Sequence, residues 1–146
     1  MIRAFLDASV LFAASYSPTG ASREIIHLAF QGKVQLVVSD DVLEEAEKNL
    51  ALKYPATLEV FYQIIQAVPF EKVTPTPKDV QRAASYTATK DAPIVAAAKR
   101  AQVDFLVSLD RRHLVGVPEV VQQSGLKIVL PEELLGKIRK SQGTSS

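Results

Sequence analysis

Four carboxylates fall where an α/β protein gathers its ligands. Asp7 ends the apolar run Ile2 to Leu6, and Asp110 follows the run Phe105-Leu106-Val107-Ser108-Leu109. Ligands of open α/β sheets bind beyond the carboxyl ends of the strands, which is where both aspartates stand. Glu45 lies in a helix that follows the strand candidate Val34 to Val38, and Asp91 precedes an alanine-rich helix. Several acids converging on one sheet edge repel one another unless a cation neutralises them. Hard oxygen donors favour Mg²⁺ or Mn²⁺ over zinc, and such a cation can activate water and stabilise charge developing on a phosphodiester. That chemistry requires no cysteine, and the chain has none; its two histidines are His27 and His113.

The elements that must position these acids follow from hydrophobic spacing. Ile2 to Leu6 predicts a buried strand, Val10 to Ala14 a helix, and Ser17-Pro18-Thr19-Gly20 a loop. Ser22 is the expected cap of a second helix, ended by Gly32. The run Val34 to Val38 predicts the next strand, with Ser39-Asp40 capping a helix from Asp41 to about Lys53. Leu58, Phe61, Tyr62, Ile65 and Val68 repeat at helical spacing. Pro69 to Val73 reads as a short strand, Lys78 to Thr87 as a helix, and Asp91 as the start of an Ala-rich helix through Ala101. Phe105 to Val107 and Leu126 to Leu130 complete the strands, and helices are expected from Val117-Pro118 to Ser124 and from Pro131. This alternation predicts an α/β fold with a mainly parallel central sheet of about four or five strands between layers of helices. Residues 1–140 read as one domain, and the polar tail Ser141 to Ser146 is expected to be disordered.

Each acid taken singly has a plainer account. Asp7 and Asp91 are good helix caps, Glu45 fits an exposed Glu/Lys face, and Asp110 suits a turn or a pairing with Arg111 or Arg112. His27 and His113 lack partners at ligand spacing and read as packing or surface residues. Asp104, at the opposite end of its strand from Asp110, reads as structural, and Asp40 and Asp41 suit a helix start. The formal net charge of +1 excludes a broadly basic nucleic-acid surface, so phosphate contacts would need a local patch. Arg111 and Arg112 are the candidates for holding phosphates. Asp7 interrupts the N-terminal apolar stretch, which argues against a signal peptide, and no apolar run approaches the length of a membrane span. A cytoplasmic protein is expected.

The ordered segments FLDASVLFAAS, VVSDDVLEEAEKNL, KDAPIVAAAKRAQVDFLVSLDRRHL and LPEELL together resemble the successive motifs of PIN domains, especially the group that includes VapC-type toxins. The resemblance spans roughly Ile2 to Leu135 and implies a three-layer α/β/α fold. Carried over by position, it assigns Asp7, Glu45, Asp91 and Asp110 as metal-binding catalytic residues. Ser9 and Ser108 support them, with Ser108 standing where the family has threonine. Helical phase places Glu44 away from the apolar stripe and Glu45 at its border, which selects Glu45 with Glu44 as the reserve. The resemblance implies a metal-dependent endoribonuclease using Mg²⁺ or Mn²⁺, with RNA as substrate, an antitoxin as inhibitor and a homodimer as the assembled state. A catalytically weak PIN-fold module that binds RNA or protein is the alternative. A haloacid-dehalogenase-like phosphatase fits less well, because Ser9 occupies the place of its second aspartate. A receiver domain would need an acidic pair and a lysine that are not convincingly placed.

Overall fold

The computed structural model describes residues 1–143. Five strands form one all-parallel sheet: β1 (Arg3–Leu6), β2 (Gln35–Val38), β3 (Glu71–Lys72), β4 (Phe105–Val107) and β5 (Ile128–Val129). Their spatial order is β3-β2-β1-β4-β5. The chain runs outward from β1 to β3, then returns to continue on the other side of β1. The β1/β4 boundary is therefore the point where strand order reverses, and a crevice opens there outside the carboxyl ends. Asp7 and Asp110 follow the two strands that bound it.

Among the described residues, eight α-helices cover the sheet: α1 (Ala8–Tyr16), α2 (Ala21–Phe30), α3 (Asp40–Lys53), α4 (Leu58–Ala67), α5 (Pro77–Ala84), α6 (Ala92–Ala101), α7 (Pro118–Ser124) and α8 (Pro131–Gly143). Right-handed crossovers between parallel strands place α1 to α4 on one face, and α5, α6 and α7 on the other. The contacts agree with this division, since α1 packs against α2, α3 and α4, while α5 packs against α6. Helix α8 returns to α2. This is the three-layer arrangement expected from the sequence.

The core is continuous across the sheet. Ala4, Phe5 and Leu6 of β1, Leu36 to Val38 of β2, and Leu106 and Val107 of β4 are all buried. A central parallel strand is covered on both faces, so its run is apolar throughout rather than alternating. Helix α6 buries Ala92 and Ile94 through Ala98, small side chains that let a helix lie close to its neighbours.

Several boundaries differ from the sequence expectation for local reasons. Gly20, not Ser22, is the N-cap of α2, and Ser22 is buried inside the first turn. Helix α8 continues to Gly143, so residues 141–143 of the expected disordered tail are helical; residues 144–146 lie outside the described residues. The predicted cap of α3 is present, with the Ser39 hydroxyl accepting from the Val42 N–H. Ser39→Ala is expected to lower stability by about 1 kcal/mol, the usual worth of such a cap. That corresponds to a fall in Tm of roughly 2–4 °C, measurable by thermal melting. Among the described residues, no helix is long and apolar enough to cross a membrane.

Candidate active site

Three aspartates and a glutamate line one cleft of about 390 Å³ at the β1/β4 boundary. Its walls come from the start of α1 (Ala8, Ser9, Phe12, Ala13), from one face of α3 (Glu45, Asn49, Lys53) and from the segment around Lys90, Asp91 and Ile94. Leu109 and Asp110 close it behind β4.

Asp7 is 4% exposed and held by three donors. The Ser9 hydroxyl and the Val10 N–H donate to Oδ1 at 2.5 and 3.2 Å, and the Ser108 hydroxyl donates to Oδ2 at 2.5 Å. A carboxylate offers about four lone-pair sites, so this clasp leaves one on Oδ2. Burial raises the Asp7 pKa above the ordinary carboxylate value, and the hydrogen bonds from Ser108 and Ser9 oppose that rise only in part. The Val10 bond also makes Asp7 the cap of α1. The capping and site positions are therefore one residue, fixed by the turn from strand to helix.

The two serines tie this aspartate to the end of β4. Ser108 accepts from the Asp110 N–H at 3.0 Å while donating to Asp7, and Ser9 accepts from the Leu109 N–H at 3.1 Å. Asp110 is oriented by its own turn, with Oδ1 accepting from the Arg112 and His113 N–H groups, each at 3.0 Å. Burial acts to raise the Asp110 pKa, but the bonds from His113 and Arg112 outweigh it, and the net shift is downward.

Asp91 departs from the helix-cap expectation. It occupies the N-cap position of α6, yet its side chain makes no capping bond. The residue is 6% exposed, and its Oδ2 is buried with no hydrogen-bond partner. Burial raises its pKa, with Lys90 and His113 lowering it and Asp110 raising it further. A carboxyl oxygen buried without a partner costs free energy, so its presence points to something outside the chain that satisfies it. Hard carboxylate donors of this kind fit a divalent cation.

His113 corrects the sequence expectation. Its sequence spacing suggests no ligand partner, whereas its Nδ1 lies 3.2 Å from Asp110 Oδ2. Asp91, Asp110 and His113 each bring one donor atom within 4.8 Å of the others. The three-residue interval between Asp110 and His113 was the available signal; it acts through the tight turn after β4, not through a helix.

Glu45 lines the cleft, while Glu44 lines a neighbouring depression that Glu45 also borders. Both are exposed on α3. Arg111 and Arg112 are exposed on the turn after Asp110 and lie outside the cleft lining. The cations that do line it are Lys53 and Lys90, with the Lys90 ammonium 3.8 Å from Asp110 Oδ2. Asn49 and Lys53 continue the helical face of Glu45 at steps of four, a spacing visible in the sequence. Asp104 accepts from the Arg3 N–H at the opposite end of the sheet, a structural position.

The family profile described as PIN domain matches residues 3–112. The chain belongs to the PIN-domain family. No curated protein matches the sequence. Among solved structures, PAE2754 from Pyrobaculum aerophilum superposes with a TM-score of 0.66 at 18% identity, covering 95% of this chain and 96% of its own. The DNA-bound VapBC from Salmonella typhimurium gives a TM-score of 0.62 at 13% identity, covering 90% and 99%. VapC20 from Mycobacterium tuberculosis, a sarcin-ricin loop cleaving toxin, gives 0.53 at 16% identity, covering 75% and 91%. At these identities the likeness is one of fold. This PIN domain therefore shares the VapC architecture, with its acidic cleft at the strand-order reversal.

Proposed function

We propose that this PIN-domain protein is a divalent-metal-dependent endoribonuclease that hydrolyses RNA phosphodiester bonds. The observation that carries the reading is the convergence of Asp7, Glu45, Asp91 and Asp110 on one cleft, with the Asp91 Oδ2 buried and unpartnered. Mg²⁺ or Mn²⁺, when bound, would activate water and neutralise charge on the phosphate. Asp7, Asp91 and Asp110 would hold the cation, with Glu45 on the facing helix and His113 behind Asp110.

The chain's own contribution is placement. Ser9 and Ser108 fix both oxygens of Asp7, and the turn after β4 fixes Asp110, so little reorganisation remains when a cation and substrate arrive. Lys53 and Lys90 supply positive charge at the cleft wall for phosphate oxygens on either side of the reacting bond. A role as the toxin of a toxin-antitoxin pair, with an antitoxin partner and a homodimer, extends this reading. The VapBC neighbours support the partner.

The direct test incubates purified protein with single-stranded RNA in Mn²⁺ or Mg²⁺. Internal cleavage that EDTA stops and added metal restores is the expected result. RNA binding without cleavage in either metal would favour the non-catalytic binding module instead.

A further inference from the structure

The cleft continues into an aromatic surface that the carboxylate chemistry does not use. Phe12, which lines the cleft, stands with Tyr16 one helical turn further along α1 and with Tyr54 just past α3. The ring centroids of Tyr16 and Tyr54 are 4.1 Å apart with planes 29° from parallel, and Phe12 lies 6.4 and 5.9 Å from them. The Lys53 ammonium sits 5.8 Å from the Phe12 ring centroid, and Lys53 also lines the cleft. Tyr16 is 49% and Tyr54 40% exposed, so the pair keeps ring surface open to solvent. Burying such rings is favourable, and an exposed aromatic pair contiguous with a polar cleft is a candidate contact surface.

Resting on the ribonuclease reading, we propose that Tyr16 and Tyr54, with Phe12 beneath them, form a stacking shelf for an unpaired base of single-stranded RNA flanking the cleaved bond. Stacked aromatic rings next to a cation are the usual platform for unpaired bases, while the charge nearby holds the backbone. From Asp7 to Tyr16 the chain advances about 13 Å at the helical rise. That distance puts the shelf beyond the reacting phosphate, so it would take a neighbouring base and not the one at the cleaved bond. Lys53 lies between shelf and carboxylates, where the connecting phosphate would pass. The site would thus favour RNA that is single-stranded beside the cut, because a paired base would first have to give up its pairing and stacking to reach the rings.

The test measures binding of a fluorescent single-stranded oligoribonucleotide by anisotropy in Ca²⁺, with an otherwise identical oligonucleotide carrying one abasic sugar at successive positions. Base–aromatic stacking of this kind is worth a factor of about 5 to 150 in affinity. Tyr16→Leu and Tyr54→Leu should each weaken binding within that range, and Tyr16→Phe should retain it. At one abasic position, the wild type and the Leu variants should bind equally. Wild-type binding left unchanged by the Leu variants, or weakened equally at every abasic position, overturns the shelf alone. Weakened binding of a protein partner with unaltered RNA affinity also overturns it, in favour of a peptide surface. A wild type that binds no single-stranded RNA overturns both the shelf and the ribonuclease reading.

Discussion

The Asp7→Asn protein is expected to lose metal-dependent RNA cleavage by about 10³-fold or more while remaining folded. The magnitude follows from removing charge at a preorganised site, where single electrostatic groups contribute factors of this order. The substitution is nearly isosteric: with the amide oxygen in the Oδ1 position Ser9 still donates to it, and the Ser108 hydroxyl can rotate to accept from the amide NH2. The α1 cap survives, because the amide oxygen can still accept from the Val10 N–H. Thermal melting should therefore give a Tm close to wild type, within a few degrees. Wild-type cleavage rates in the variant, with fold intact, would remove Asp7 from the chemistry and with it the proposed reaction. Loss of both activity and fold would be uninformative for Asp7, so Asp110→Asn, whose side chain is less buried, is the companion measurement.

Asp91→Asn should do the opposite to stability. The folded-state pKa of Asp91 is raised above its ordinary 3.8, so folding favours the protonated form. A group raised in this way contributes its full stability below about pH 4 and loses that contribution as pH rises through the folded pKa. At any pH above its raised folded-state pKa, metal-free protein holds this carboxylate ionised, with one oxygen buried and unpaired. Replacing it with a neutral amide should raise stability by about 1 kcal/mol, or a Tm higher by roughly 2–4 °C. The advantage should disappear below about pH 4, where both side chains are neutral. Added Mn²⁺ should reverse the order. Saturating metal at about 100 times its Kd stabilises a site by about 2.7 kcal/mol, a gain the wild type should show and the variant should largely lack. Calorimetric melts of both proteins across pH, with and without Mn²⁺, provide the check. Equal Tm gains in the two proteins would show that Asp91 does not take part in binding the ion.

The parts of the fold that were legible in the sequence are those with local causes. Val34 to Val38, followed by Ser39, gave a strand and a cap because an apolar run and a hydroxyl before a helix each act within a few residues. Asp7 and Asp110 could be placed at strand ends for the same reason, and adjacency of β1 and β4 then brings them to one crevice. What escaped depends on packing between distant segments. Ser22 has a capping side chain, but the chain enters α2 two residues earlier through Gly20, and Ser22 is buried in the first turn. His113 meets Asp110 through a turn whose shape is set by backbone bonds to the aspartate itself. Tyr16 and Tyr54 stand far apart in sequence and meet because α1 packs on α3. Lys53 and Lys90 line the cleft from elements distant in sequence, α3 and the segment before α6, whereas the adjacent Arg111 and Arg112 stand out only by proximity to Asp110.

The margins of the sheet bear on how the protein behaves when crowded. Its two outer strands, β3 and β5, have two residues each, and β3 consists of Glu71 and Lys72. Both side chains are occupied, Glu71 with Arg3 and Lys72 with Asp40 at 3.3 Å. An exposed strand recruits another chain by offering a row of free backbone groups, and two charged residues offer too few for a stable ladder. Lateral growth by strand addition is thus blocked at the β3 border, even though the interior strands carry apolar runs of the kind that aggregate when uncovered.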